Sequence, residues 1–208
     1  MNISVAIDSV PQAAPSASEA GPASKRIVVA YGFWIFLLSD IVMFAALFAS
    51  YAVLVHATAG GPTGAQLFNQ TTVAIETACL LVSSYICGLM SLAVNLRNRL
   101  GTYLGALITF ALGTAFLTLE IREFADMIAH GATPQRSAFL SAFFTLVGCH
   151  GLHVTLGLIW LVVMMVQVAV MGFVTSVQHR LLCFSLFWHA LDIIWVALFT
   201  VVYLMGVR

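Results

Sequence analysis

From residue 27 onward the chain consists of long apolar runs separated by short polar interruptions. The runs cover approximately 27–55, 73–95, 101–121, 138–171 and 181–205. Each reaches the roughly 20 residues that a helix needs to cross the hydrocarbon core of a bilayer. The first and fourth are longer, which predicts tilting or projection beyond the hydrocarbon. A membrane barrel would instead need short strands that alternate apolar and polar positions. The pattern therefore predicts an all-α integral membrane bundle of five transmembrane helices within residues 25–208. No internal repeat stands out, and five is an awkward number for the paired repeats of many transporters.

Residues 1–24 follow a different rule. MNISVAIDSVPQAAPSASEAGPAS is rich in Ala, Ser and Pro. It lacks the basic start of a secretory signal and reads as a flexible N-terminal tail. The first connection contains the turn-forming GGPTG, the second is about NLRNR, and the fourth is about GFVTSVQHR. The third, REFADMIAHGATPQR, is the most polar.

Composition strengthens the membrane reading. The chain is 62% hydrophobic and 8% charged, with a mean hydropathy of +1.04. A soluble domain carries about 25% charged residues. The formal net charge is zero and Lys25 is the single lysine, so the clustered basic surface that nucleic acid requires is missing. Cys79, Cys87, Cys149 and Cys183 lie in apolar runs without a CxxC spacing, and read as small buried hydrophobes. Basic residues suggest an orientation. One side of a five-helix bundle holds Lys25, Arg26, Arg97, Arg99 and Arg180, and the other holds Arg122, Arg136 and Arg208. This excess predicts a cytoplasmic N-terminus and a periplasmic C-terminus. Tyr31, Trp34, Tyr103 and Tyr203 lie near span ends, where aromatic residues favour the membrane interface.

The candidate chemistry lies in polar residues inside the apolar runs: Asp40, Glu76, Glu120, His150, His153, His189 and Asp192. A charge at mid-membrane costs about 2.5–3.5 kcal/mol on insertion scales, so such groups are expected against protein, headgroups or water. Glu76 opens the second span, with Ser83 on its face and Ser84 close by. A proton relay, a contact with a lipid headgroup or partner subunit, and an interhelical hydrogen bond all fit that position. In FWHALDIIW, Asp192 is spaced to hold the Nδ1–H of His189. Carboxylates do this behind metal-bound histidines, and a buried polar clamp would look the same.

In GCHGLHVTLG, His150 and His153 share one helix face. Two adjacent turns can offer two ligands to one metal. A zinc site needs more ligands, and HGLH lacks the Glu of HExxH. A haem with two axial histidines would need them from opposite sides, such as His150 or His153 with His189. A packing seam, with Gly148, Gly151 and Gly157 permitting close helix approach, is the reading preferred from the residues.

Several segments also resemble subunit III of the haem–copper respiratory oxidases. They are GFWIFLLSD at 32–40, FASYAVLVHATAGGPTG at 48–64, IETACLLVSS at 75–84, RSAFLSAFFTLVGCHGLHVTLGLIW at 136–160 and CFSLFWHALDIIWVALFTVVYLMG at 183–206. The stretch YAVLV through TAGGPTG resembles the quinol branch, the cytochrome o ubiquinol oxidase form with five transmembrane helices. The resemblance implies a non-catalytic subunit of an oxidoreductase in a bacterial cell inner membrane. Haems and copper are then expected in partner subunit I, with subunits II and IV and membrane phospholipids as further partners. The complex would oxidise ubiquinol, reduce oxygen to water and pump protons. On that basis Glu76, His150 and His153 are expected at lipid or subunit contacts, and Asp40, His189 and Asp192 in intramembrane packing. No catalytic, cofactor-binding or metal-binding residue is expected in this chain. The alternatives are subunit III of a related cytochrome c oxidase or a haem-binding membrane cytochrome.

Overall fold

The computed structural model describes residues 25–60 and 70–204. The tail 1–24 and the GGPTG turn beyond Gly60, read above from sequence, lie outside them. Five helices follow one another: α1 Lys25–Leu54, α2 Gln70–Asn95, α3 Arg99–Ala129, α4 Ala138–Met171 and α5 Thr175–Leu198. α5 continues into a π-helical turn, Phe199–Leu204. All five spans are long and apolar enough to cross a membrane, and no strand occurs among the described residues. The chain is an all-α, multi-pass membrane protein.

The helix ends follow local chemistry. Asn98 caps α3 by accepting from the Gly101 N–H at 3.1 Å. Ser137 caps α4 by accepting from the Leu140 N–H at 3.2 Å. Each satisfies a backbone donor that the first helical turn leaves free. α4 stops at Gly172, whose φ of +69° suits a residue without a Cβ.

Two boundaries differ from the apolar runs. α3 continues past residue 121 to Ala129, so Arg122, Glu123 and Asp126 stand on a helix and not in a loop. The hydropathy falls there, but Glu, Met, Ala and Ile all sustain a helix. α5 starts at Thr175, six residues before its apolar run, because the polar turn TSVQHR is already helical.

α5 is the most enclosed span and packs on α1, α2 and α4. α2 pairs most extensively with α3, and α4 bridges α1 and α3. α1 is the least enclosed and rests on α4 and α5. The main core contains Phe116, Phe143, Phe184 and Trp195, and a smaller one near the opposite end joins Val94, Met164, Val168 and Leu181. Large apolar side chains such as Tyr31, Ile35, Leu107, Leu156 and Ile193 point outward. In water such a surface would signal association, whereas in hydrocarbon it is the solvated face.

Close helix contacts use small residues. A Cβ on Gly105 would stand 2.8 Å from Met90 of α2, and one on Gly113 would stand 2.9 Å from Leu158 and 3.1 Å from Trp188. Gly113→Val should therefore destabilise the bundle by about 1–3 kcal/mol through overpacking. Gly88→Ala, with nothing within 4 Å of the added methyl, should be close to neutral. Denaturant titration of the two purified variants beside the parent chain checks both.

Candidate functional site

The polar groups of the interior fall into two connected regions. The first is a seam between α2 and α5. Trp188 donates its indole N–H to Ser83 Oγ at 3.1 Å, and Ser83 donates onward to the Leu80 carbonyl at 2.8 Å. Two turns along α5, Trp195 donates to Thr77 Oγ1 at 3.0 Å, and Thr77 donates to the Val73 carbonyl at 2.8 Å. Between these rungs, Ser84 Oγ lies 2.7 Å from His189 Nδ1. The Asp192 carboxylate lies near the same hydroxyl. Nearer the α5 N-terminus, the Cys87 thiol meets the Ser185 hydroxyl.

The second region surrounds Trp195. His150 of α4 is fully buried, with its ring 5.1 Å from that of Trp195 and 5.8 Å from that of Phe116. Beside His150, the Glu120 carboxyl rests on Gly151: a Cβ there would meet Glu120 Oε1 at 2.5 Å. Tyr203, in the π-helical turn, reaches back under Trp195 (ring centroids 6.3 Å apart) and donates its hydroxyl to Glu123 Oε2 at 3.2 Å. Glu76, one residue before Thr77, is close enough to Glu120, Glu123 and Tyr203 for their charges to interact. A phenol and an imidazole thus meet one indole, with Glu76, Glu120 and Glu123 in the same region.

Several expectations change against this geometry. Glu76 and His150, expected at lipid or subunit contacts, have 0% exposure. Their surroundings in this chain are its own helices. His153 is half-buried: its Nδ1 lies 2.7 Å from the Cys149 carbonyl of its own helix, and its ring, like that of His150, packs on Phe44. Nδ1 of His189 faces Ser84, where the sequence had offered it to Asp192. Asp40, half-buried on α1, lies near Cys149 of α4. Gly151 and Gly157 stand at close contacts, Gly157 against Trp188 and Phe187, whereas a Cβ on Gly148 would meet Phe124 at an ordinary 3.7 Å. Tyr203 is 1% exposed and does not belong to an interfacial belt. Among the described residues, no group of three or more His, Cys, Asp or Glu converges as a metal site would.

The sequence reading missed Glu123, Tyr203, Thr77 and both tryptophans as members of the site. Glu123 sits beside Arg122 in a stretch read as loop. The helical spacing of Glu120 and Glu123, three apart, was the available signal.

Fold and site together define a polytopic membrane protein whose polar side chains are gathered inward by aromatic partners on its last helix. The chain belongs to the cytochrome c oxidase subunit III family, whose model matches residues 19–207. It is 53% identical to the cytochrome bo(3) ubiquinol oxidase subunit 3 of Pseudomonas aeruginosa over 178 residues, 85% of this chain and 84% of that protein. It is 49% identical to the Pseudomonas putida protein of the same name, over 85% of each chain. Quinol oxidase subunit 3 of Bacillus subtilis is 41% identical over 84% of this chain and 86% of its own length.

The seam generates a quantitative expectation. Interhelical hydrogen bonds in membranes average about 0.6 kcal/mol and reach about 1.7. In a double-mutant cycle with Ser84→Ala and His189→Leu, the coupling energy should fall in that range. Unfolding in mixed micelles measures it, and strict additivity would remove the bond from the account of stability.

Proposed function

We propose that this chain is the third, non-catalytic subunit of a bacterial ubiquinol oxidase of the cytochrome bo(3) type. The observation that carries this reading is the set of relatives of that name, up to 53% identical over 85% of the chain. In the assembled enzyme ubiquinol is oxidised, oxygen is reduced to water and protons are pumped. The haems and copper belong to subunit I, and this chain lies beside it with subunits II and IV in the cell inner membrane. Its N-terminus is cytoplasmic and its C-terminus periplasmic.

Its contribution is to pack against the catalytic subunit, to hold phospholipid and to sustain turnover. Two features support that role. The polar side chains of the α2–α5 seam are engaged in helix-to-helix bonds, which leaves the outer surface apolar. An apolar groove of about 420 Å³ runs between α1 and α5, lined by Trp34, Leu37, Phe44, Phe48 and Ile193 among others. Its almost wholly apolar lining suits acyl chains, to which it offers dispersion contacts.

An affinity tag on this chain should co-purify a complex that oxidises ubiquinol with oxygen. The haem absorbance should stay with the catalytic subunit, and this chain isolated by itself should show none. A complex that oxidises reduced cytochrome c and not ubiquinol would move the chain to the other branch of its family. A haem spectrum retained by the isolated chain would make it a cytochrome. Removing the chain should leave initial turnover largely intact and shorten the time over which activity lasts, read as oxygen uptake over many turnovers.

A further inference from the structure

Two apolar grooves of about 420 Å³ open on the outside of the bundle, and they differ in what their polar side chains can still bond. In the groove between α3 and α4, lined by Leu107, Phe110, Leu161 and Val166 among others, the one polar side chain is Tyr103. Its hydroxyl is already engaged, donating to the Met165 carbonyl at 3.4 Å. The groove between α1 and α5 has the imidazole of His189 in its wall. Nδ1 of that ring lies 2.7 Å from Ser84 Oγ of α2, and no described residue bonds to Nε2. Nor is Nε2 sealed in the interior, in contrast to both ring nitrogens of His150.

This groove crosses the middle of the bilayer. On α1 it extends from Trp34 to Phe48 within the span Ile27–Leu54, about 21 Å of helix at 1.5 Å per residue. His189 stands at the midpoint of the span Thr175–Tyr203. Water and phospholipid headgroups do not reach that depth, and an unbonded polar atom in hydrocarbon is costly. A partner for Nε2 must be carried in by a molecule that dissolves in hydrocarbon and has a hydroxyl of its own. Acyl chains have none.

We propose that the groove between α1 and α5 binds the reduced quinol, with His189 as its hydrogen-bond anchor; this rests on the reading of the chain as a ubiquinol oxidase subunit. Ser84 directs its proton to the Asp192 carboxylate near it and accepts the Nδ1–H of His189. Nε2 then presents a lone pair, and a hydroquinone O–H donates to it. The oxidised quinone has carbonyls in place of those hydroxyls and no proton to offer, so the groove prefers the reduced form. Phe44 and Phe48 give the ring aromatic contacts, and the isoprenoid chain lies along the apolar wall. The step is binding alone: no bond is broken and no electron leaves the quinol at this site.

Photolabelling of the intact oxidase complex in phospholipid nanodiscs, without oxygen, tests this. The probe is a ubiquinol with a diazirine on a short isoprenoid tail. Label should attach to this chain in peptides from 34–48 and 186–197. Unlabelled ubiquinol should protect them at a concentration roughly three- to tenfold lower than its dimethyl ether, which keeps ring and tail and lacks the hydroxyl protons. His189→Leu should abolish that difference, and Ala190→Phe should block labelling by filling the groove. If either variant does not assemble, the comparison of ubiquinol with its ether on the unaltered complex decides alone. Equal protection by the two would overturn the site. So would label confined to other subunits of a complex that still oxidises ubiquinol, which leaves the proposed function standing. Protection by added phospholipid and not by ubiquinol would give the groove to acyl chains and overturn the site as well. A complex that oxidises reduced cytochrome c and not ubiquinol would remove the proposed function and this site with it.

Discussion

The rest of the structure depends on how two indole N–H groups of α5 are satisfied away from water. Trp188 and Trp195 are seven residues apart, two helical turns, and so project on one side of α5. Each needs an acceptor, and in hydrocarbon water cannot supply it. The solution is a hydroxyl that both accepts and donates. Ser83 and Thr77 take the indole protons and pass their own to carbonyls three and four residues back on α2. The same indoles shape the neighbouring helices. Trp188 occupies the space left by Gly113 and Gly157, and Trp195 forms the platform for Phe116, His150 and Tyr203. One pair of side chains therefore fixes the register of α2 and the approach of α3 and α4.

α1 stands apart from this arrangement. It contributes Phe44 to the rings around His150 and His153 and otherwise lies along the outside of α4 and α5. Its own hydroxyls are spent locally: Ser39 donates to the Phe36 carbonyl and Ser50 to the Ala46 carbonyl. It has no hydroxyl–indole rung like those of α2, so its hold on the bundle is largely dispersion and aromatic contact, as in the edge of Phe33 against Trp160. The apolar groove between α1 and α5 is the consequence. Where the small side chains Ala45, Ala190 and Ala197 face one another across it, the helices present too little volume to close the gap.

The number of spans and their approximate centres were legible because hydropathy is a property of single positions summed over a window. Helix ends were less so. The C-terminal portion of α3 carries Glu120, Arg122, Glu123 and Asp126, and charge there reads as loop when the alternative is a lipid-facing surface. In three dimensions only one face of that segment turns inward: Glu120 and Met127 are buried while Arg122 and Asp126 are exposed. The candidate site was legible by residue type and not by partner. Acids and histidines in apolar runs announce themselves. Which of them meet depends on side-chain direction across helices distant in sequence. Tyr203 shows the limit most clearly. A tyrosine near a span end is ordinarily interfacial, whereas this one lies in a π-helical turn, which no local pattern signals, with its side chain in the core.

The GCHGLHVTLG stretch can now be read position by position, and each polar or small residue has a separate task. His150 points inward between Phe116 and Trp195. Gly151 is small on behalf of a carboxyl, since Glu120 occupies the space a Cβ would take. His153, three residues on, rotates to the half-exposed side, and its Nδ1 meets a carbonyl one turn back in its own helix. Val154 returns to the core, and Gly157 admits Trp188. A metal site would need the two imidazoles to converge. Here the inner imidazole is enclosed by an aromatic platform, and the outer one meets its own backbone. Spacing of three along a helix brings two side chains to neighbouring positions, and the packing on either side then decides whether they act together. Here Trp195 takes one histidine into the carboxyl cluster, and the Cys149 carbonyl holds the other out of it.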